Sequence, residues 1–215
     1  MASLDRMAAD AHEDFDALTA AREQALAQTR RVIQHSARAI RAIHREEPAA
    51  ANEELQAAAK LVTQLNEDLK PYPQLYAAGY TQDAMKEYAE ANLVQAFVSN
   101  GELPSAEDLG IETAAYLKGL AETVGELRRR CLDIMRHGHS AETERLLNDM
   151  DEIYSVLVTM DYADAVTGGL RRLTDVCRSL VERTRGDVTL SLRQQRLEQS
   201  LAQAEQRLSD SEDQP

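Results

Sequence analysis

The sequence has few of the residues that interrupt helices or build sheets. Its 215 residues include 9 glycines, 5 prolines and no tryptophan, and aromatic residues make up only 4%. Ala, Leu, Glu, Gln and Arg dominate instead, and these favour helices. No run of β-branched residues alternates with polar ones as in a half-buried strand. The sequence therefore predicts an all-α protein, and its length allows one domain with a sizeable core.

Signals for export or membrane insertion are also missing. The first residues, MASLDRMAADAHEDF, have neither the basic start nor the apolar stretch of a signal peptide. No segment approaches the roughly 20 apolar residues that a bilayer span needs. Cys131 and Cys177 lie singly in helical patterns, which is typical of reduced core cysteines. We therefore expect a cytoplasmic protein with no membrane partner.

Lysine is scarce in a chain that is strongly acidic. Acids outnumber Lys and Arg 37 to 24, for a net charge of −13, and the lysines are only Lys60, Lys70, Lys86 and Lys118. Acidic, arginine-rich chains of this kind are typical of cytoplasms with molar salt, so the composition suggests a halophile. At about 1 M salt the Debye length is only about 3 Å. The net charge therefore does not exclude a nucleic-acid partner, and local groups decide.

Apolar periodicity predicts seven helices separated by short breaks. Their approximate ranges are 4–47, 52–70, 80–98, 112–136, 140–159, 161–185 and 189–208, with Gly186 ending the sixth. The first would be about 65 Å long at 1.5 Å per residue, which exceeds a compact bundle of this mass, so part of it should pack on another subunit. We predict a seven-helix antiparallel bundle in a single domain over 1–208, followed by an acidic disordered tail over 209–215.

Two of the predicted helices carry acidic side chains that could bind a metal. Glu87 and Glu90 are three residues apart and leave the same face of the third helix. Glu122 and Glu126 are four residues apart on the fourth. Paired carboxylates suit Mg²⁺ or Mn²⁺, and such an ion activates water and neutralises charge in phosphodiester hydrolysis. The spacing therefore allows a metal site built from two helices.

The same acids also have a plainer interpretation. In a chain with 37 acids, pairs at helical spacing arise by chance, as in Asp149 and Glu152, and then act only as solvated charge or surface ion pairs. A di-iron bundle would need Glu-x-x-His pairs, and no histidine follows a glutamate at that spacing. His137 and His139 are expected to be exposed in a loop. The sequence contains neither a catalytic triad nor a glycine-rich phosphate loop.

Two segments resemble a known family. Residues 87–91, EYAEA, resemble the EYVEA helix of translin-associated factor X (TRAX), and residues 116–129, YLKGLAETVGELRR, resemble the stretch YLxGvxdLxGELxR of the translin and TRAX family. Gly119 and Gly125 lie inside the second segment. Because glycine within a helix costs about 1 kcal/mol relative to alanine, we expect close helix–helix approach at both. The length, the helical layout and the long first helix agree with the family over nearly the whole chain.

The resemblance implies a function and a set of site residues. Translin-type chains bind single-stranded nucleic acid and lack these acids, whereas TRAX-type chains carry them and act as Mg²⁺-dependent endoribonucleases within a hollow octamer. By position, the family match makes Glu87, Glu90 and Glu122 catalytic, and makes these three and Glu126 ligands of Mg²⁺ or Mn²⁺. Glu122 departs from the Asp that is usual there. The chain thus resembles an archaeal, haloarchaeal TRAX-like member: a homo-octamer that cleaves single-stranded RNA.

The RNA contacts are expected outside the region that the family uses. Residues 75–84 contain no Arg or His, although translin-type chains are basic there, so we expect RNA binding by Arg128, Arg129 and Arg130 or by arginines of the first helix. The latter are Arg30, Arg31, Arg38, Arg41 and Arg45. Two alternatives stay open. One is a non-catalytic, translin-like binder of single-stranded nucleic acid, and the other is an all-α nucleotide pyrophosphohydrolase, which also uses Glu-x-x-Glu helices with Mg²⁺.

Overall fold

The computed structural model describes residues 2–138 and 140–212. Over these residues the chain forms nine helices and no strand, which confirms the all-α prediction. The helices are α1 (Ala2–His44), α2 (Pro48–Leu69), α3 (Pro73–Tyr76), α4 (Gly79–Ser99), α5 (Ala106–Leu109), α6 (Thr113–Met135), α7 (Ala141–Leu157), α8 (Asp164–Thr167) and α9 (Leu170–Glu212). The very long first helix is also confirmed, since α1 has 43 residues.

The last two predicted helices form one continuous helix. α9 passes straight through Gly186, so the prediction that this glycine ends a helix is wrong. Val181 and Thr184 on one side of the glycine and Val188 on the other are all buried. Their packing outweighs the roughly 1 kcal/mol that a glycine costs inside a helix. The sequence alone does not show whether the packing of the neighbouring residues or the low helix propensity of the glycine has the larger effect.

The break in this region lies earlier in the chain. Gly168 and Gly169 have φ angles of 61° and 86°, in the left-handed region that favours glycine, and they separate α8 from α9. We predicted that a disordered acidic tail begins at residue 209, but α9 continues as a helix to Glu212. Residues 213–215 of that tail lie outside the described residues.

The chain divides into two compact units, residues 1–123 and 124–215. In the first unit, α1 packs along α2 and α4. The pairing of α1 and α2 is antiparallel, because Gln28 near the middle of α1 donates to Asp68 at the end of α2 (2.7 Å), while His35, further along α1, contacts Glu54 near the start of α2. The core of this unit contains Val32, Leu65, Met85, Leu93 and Val94, each with no exposed surface.

The second unit contains α7, α9 and the last turns of α6. Cys131 of α6 is buried against the carbonyl of Thr143 in α7 (Sγ–O 3.9 Å). The Arg128 guanidinium donates to Thr184 of α9 (2.9 Å), and Arg185 of α9 donates to Asp151 of α7 (2.8 Å). That the two units act as the single domain predicted from the sequence stays a prediction.

The first half of α1 carries apolar side chains that the chain itself leaves uncovered. Leu4, Met7 and Phe15 are 62–66% exposed. Exposed apolar side chains that form a contiguous patch often mark an interaction surface. In the part of the chain that the structure describes, no helix is both long and apolar enough to cross a bilayer.

Candidate metal centre on two helices

Glu87 and Glu90 are placed by α4, the most buried helix of the first unit. Tyr88, Ala89 and Ala91 around them are at most 5% exposed, and Glu90 itself is only 8% exposed. A carboxylate at this depth is costly to desolvate unless something compensates its charge. One turn further along α4, Leu93 and Val94 have no exposed surface.

Gly119 brings α6 close to this part of α4. A Cβ added to Gly119 would lie 2.7 Å from the Cβ of Ala89, 2.8 Å from the carbonyl oxygen of Lys86 and 2.9 Å from the backbone nitrogen of Glu90. No real Cβ approaches other atoms so closely, so only glycine allows the two backbones to meet here. The close approach predicted at Gly119 is therefore confirmed.

Gly125 behaves differently. The first atom that an added Cβ would meet among the described residues is Cδ1 of Leu180, at 4.0 Å, which is an ordinary van der Waals contact. The prediction of close packing at Gly125 is therefore wrong. The two glycines look alike in the sequence because both stand inside the same amphipathic helix, and only the position of the neighbouring element separates them.

The start of α6 is held by hydrogen bonds within the first unit. The Tyr116 hydroxyl donates to the carbonyl of Pro104 (2.9 Å), and Thr123 Oγ1 donates to the carbonyl of Gly119 (2.9 Å). Pro104 precedes the short helix α5, which a capping box between Ser105 and Asp108 begins. The first of these bonds ties the start of α6 to the preceding loop, and the second lies within α6 one residue beyond Glu122.

The close approach at Gly119 brings three carboxylates together. Glu87 and Glu90 of α4 and Glu122 of α6 each offer one oxygen, and these oxygens all lie within 4.8 Å of one another. Glu87 and Glu122 are partly exposed, whereas Glu90 is buried. Two oxygens bound to one Mg²⁺ at 2.0–2.1 Å can be at most about 4.2 Å apart. The donors are therefore hard oxygens at a separation that small side-chain rotations would close around a divalent cation.

The ammonium of Lys86 lies among these carboxylates. Its Nζ is 2.7 Å from Glu122 Oε2 and 3.1 Å from Glu87 Oε1, and the side chain is only 16% exposed. Burial lowers the pKa of Lys86, but the hydrogen bonds and negative charges of Glu122 and Glu87 outweigh it, so that the pKa is raised overall. In the protein without a cation, Lys86 is therefore a charged counter-ion of the cluster.

The other predicted site residues lie outside this group of three. Glu126 contacts Arg129 across 3.7 Å on the surface of α6. Arg128 bonds Thr184 and Asp187, both at 2.9 Å, and Arg130 bonds Glu142 at 3.0 Å. Arg129 is the most exposed of the three arginines, at 54% of its side chain.

Lys86 is the residue of the site that the sequence did not single out. Its place directly before Glu87 is visible in the sequence, but adjacent residues on a helix point in different directions. The bond that defines its role reaches Glu122 on another helix, and no spacing along the chain predicts it. The signal that could have identified Lys86 as a site residue is its position directly before a candidate metal-binding Glu-x-x-Glu pair.

Known proteins are similar to this chain over nearly its whole length. The Translin family model matches residues 13–208. The uncharacterized protein MJ0175 of Methanocaldococcus jannaschii is 30% identical over 190 residues, which cover 87% of this chain and 84% of that protein.

Solved structures agree with these sequence matches. The crystal structure of AfC3PO is similar with a TM-score of 0.80 and 32% identity, and AfC3PO in complex with duplex RNA with a TM-score of 0.76 and 33% identity; each match covers 86% of this chain and 96% of the other. Apo-NeC3PO, at 21% identity and a TM-score of 0.77 over 85% of this chain and 95% of its own, has the same fold.

Proposed function

The chain belongs to the Translin family, as its two motifs predicted, and we propose that it is a Mg²⁺-dependent endoribonuclease that cleaves single-stranded RNA within a closed homo-oligomer. The observation that carries the proposal is the convergence of Glu87, Glu90 and Glu122 from two helices. Chance pairs of acids on a surface do not require a glycine at the crossing point, whereas this group depends on Gly119. RNA as the ligand is supported by the duplex RNA complex of AfC3PO.

The side chains of the cluster have distinct tasks in this proposal. Glu90 is buried, so it would set the depth at which a cation is bound. Glu87 and Glu122 are partly exposed and would complete the ligand set on the side that a phosphodiester can reach. The longer side chain of Glu122, where the family usually has Asp, lets the carboxylate reach the α4 pair. Bound Mg²⁺ or Mn²⁺ would supply activation of water and neutralisation of phosphate charge.

RNA binding is proposed for arginines that are exposed. Arg129 fits this role better than its two neighbours, because the guanidinium groups of Arg128 and Arg130 already bond side chains of the second unit. All five arginines of the last turns of α1 and the following turn are exposed, namely Arg30, Arg31, Arg38, Arg41 and Arg45. Guanidinium groups bind phosphates through two parallel hydrogen bonds, so either set can bind an RNA backbone.

Self-association is supported by the exposed apolar side chains of α1. Leu4, Met7 and Phe15 would be covered by another copy of the chain, which the length of α1 already suggested. An octamer is the assembly that the family resemblance implies. Light scattering should give a mass several times 23.9 kDa, and a monomer in high-salt buffer would contradict the proposal.

The experiment that tests the activity compares three glutamine variants on labelled RNA. Single-stranded and duplex RNA are incubated with the purified full chain in Mg²⁺ and then in EDTA. Glu90→Gln and Glu122→Gln should abolish cleavage in Mg²⁺ at nearly constant side-chain volume. Glu152→Gln is the matched control, because Glu152 is an exposed helical acid outside the group of three, and it should cleave like the unchanged protein.

The other outcomes identify the competing functions. RNA binding without cleavage in any cation would favour a non-catalytic binder of nucleic acid. Hydrolysis of free nucleoside triphosphates with no action on RNA would favour a nucleotide pyrophosphohydrolase. Cleavage that persists in EDTA, or that survives in Glu90→Gln, would remove the carboxylate cluster from the mechanism.

A further inference from the structure

Lys86 contacts two of the carboxylates that a cation would need. Its ammonium lies 2.7 Å from Glu122 and 3.1 Å from Glu87, and so joins the two helices that carry the cluster. These two carboxylates are also two of the three ligands in the proposed metal centre. An ammonium and a divalent cation held at the same pair of carboxylates repel each other and compete for the same negative charge.

The charge balance explains why a lysine is tolerated here. Three carboxylates whose oxygens lie within 4.8 Å of one another repel strongly, most of all where one of them is buried. One ammonium reduces their net charge from −3 to −2, which stabilises the cluster without a metal. A divalent cation would neutralise more of the charge and, in addition, accept several oxygens at once.

The side chain of Lys86 is also able to move away from the carboxylates. Its compact ammonium ends a flexible four-carbon stem, and 16% of the side chain is already exposed. The ammonium can therefore rotate towards solvent without moving α4, whereas the backbone of α4 is fixed against α6 at Gly119. The two helices that carry the carboxylates can therefore stay in place while the counter-ion changes.

We infer that Lys86 is an internal counter-ion which a divalent cation displaces, so that this lysine sets the cation concentration at which the carboxylate cluster is loaded. The inference rests on the proposed metal centre and adds to it a residue that competes with the cation. It requires that cation binding and release of the Lys86 ammonium be the same event.

The first test measures binding of Mn²⁺ alone, by calorimetry on the full chain. Lys86→Gln removes the competing charge at similar length and should bind Mn²⁺ about tenfold tighter, the factor expected for two partly exposed ion pairs. Lys70→Gln is the matched control, because Lys70 pairs with Glu67 in the same way (2.6 Å) but on an exposed surface. It should leave Mn²⁺ affinity unchanged. Weaker binding by Lys86→Gln would overturn the inference, since the lysine would then be holding the ligands in place.

The second test detects the displaced ammonium directly. The chain has only four lysines, so brief amine acetylation followed by mass spectrometry can follow each one. Saturating Mn²⁺ should increase acetylation of Lys86 several-fold and leave the exposed Lys60 and Lys70 unchanged. If Mn²⁺ binds but Lys86 stays protected, the inference is wrong while the metal centre stands. If the unchanged chain does not bind Mn²⁺, or if Glu90→Gln binds it as tightly as the unchanged chain does, the metal centre fails and the inference fails with it.

Discussion

Replacing Gly119 with alanine adds one methyl group at the point where α6 rests on α4. The added carbon would lie 2.7–2.9 Å from Ala89, Lys86 and Glu90, and two of the three atoms that it meets are backbone. Ordinary contact begins at about 3.4 Å, so the two helices would have to separate by roughly 0.7 Å. No flexible side chain is available to give way instead.

The expected size of the effect follows from two opposing terms. Overpacking of a core costs roughly 1–3 kcal/mol, and three simultaneous short contacts place Gly119→Ala at the upper end. Alanine in place of glycine within a helix contributes about 1 kcal/mol in the other direction. The variant should therefore be less stable by about 1–2 kcal/mol.

Gly125→Ala is the matched control on the same helix. Its added methyl group meets only Leu180, at 4.0 Å, so the helix propensity acts alone and should stabilise the protein by up to about 1 kcal/mol. Urea unfolding followed by circular dichroism, at equal protein concentration, should place the two midpoints about 1 M apart.

The same substitution should also disturb the metal centre. If α6 moves away from α4, Glu122 moves away from Glu87 and Glu90, so Gly119→Ala should bind Mn²⁺ more weakly than Gly125→Ala does. Equal stability of the two alanine variants would refute the reasoning that glycine is required at the crossing point. If Gly119→Ala is less stable but binds Mn²⁺ with unchanged affinity, the close packing at Gly119 is not required for the metal centre.

Three further predictions concern other parts of the chain. Burial raises the pKa of the Cys131 thiol from 9.0 to about 11, because the folded protein favours the neutral thiol. The contribution of the buried neutral thiol to the free energy of unfolding is complete below pH 9 and is lost as the pH rises to about 11. Urea unfolding should show a steeper loss of stability over that interval than in Cys131→Ala. Arg129→Gln should weaken RNA binding in filter assays and leave the melting temperature unchanged, whereas Arg128→Gln should lower the melting temperature, because Arg128 bonds Thr184. Phe15→Glu, at an apolar side chain that is 66% exposed, should reduce the mass seen by light scattering; an unchanged mass would exclude this part of α1 from the interface.

Local patterns were enough for the parts of this protein that depend on neighbours along the chain. Composition and periodicity predicted an all-α fold and the long first helix, because helix formation depends on residues within a few positions of one another. The spacing of Glu87 and Glu90, and the family motif around Glu122, were likewise readable from the sequence. The N-cap of α7 is equally local, because the Ser140 side chain accepts a hydrogen bond from the backbone of Thr143, three residues on.

Other features were decided only where separate segments meet. Gly186 stays helical because buried neighbours on both sides of it outweigh its low propensity, and Gly119 and Gly125 differ only in what lies opposite them. The link from Lys86 to Glu122 has the same origin, since it joins two helices whose distance no sequence spacing records. Sequence patterns report the preferences of a segment, whereas packing and charge pairing depend on which atoms tertiary structure brings within a few ångströms.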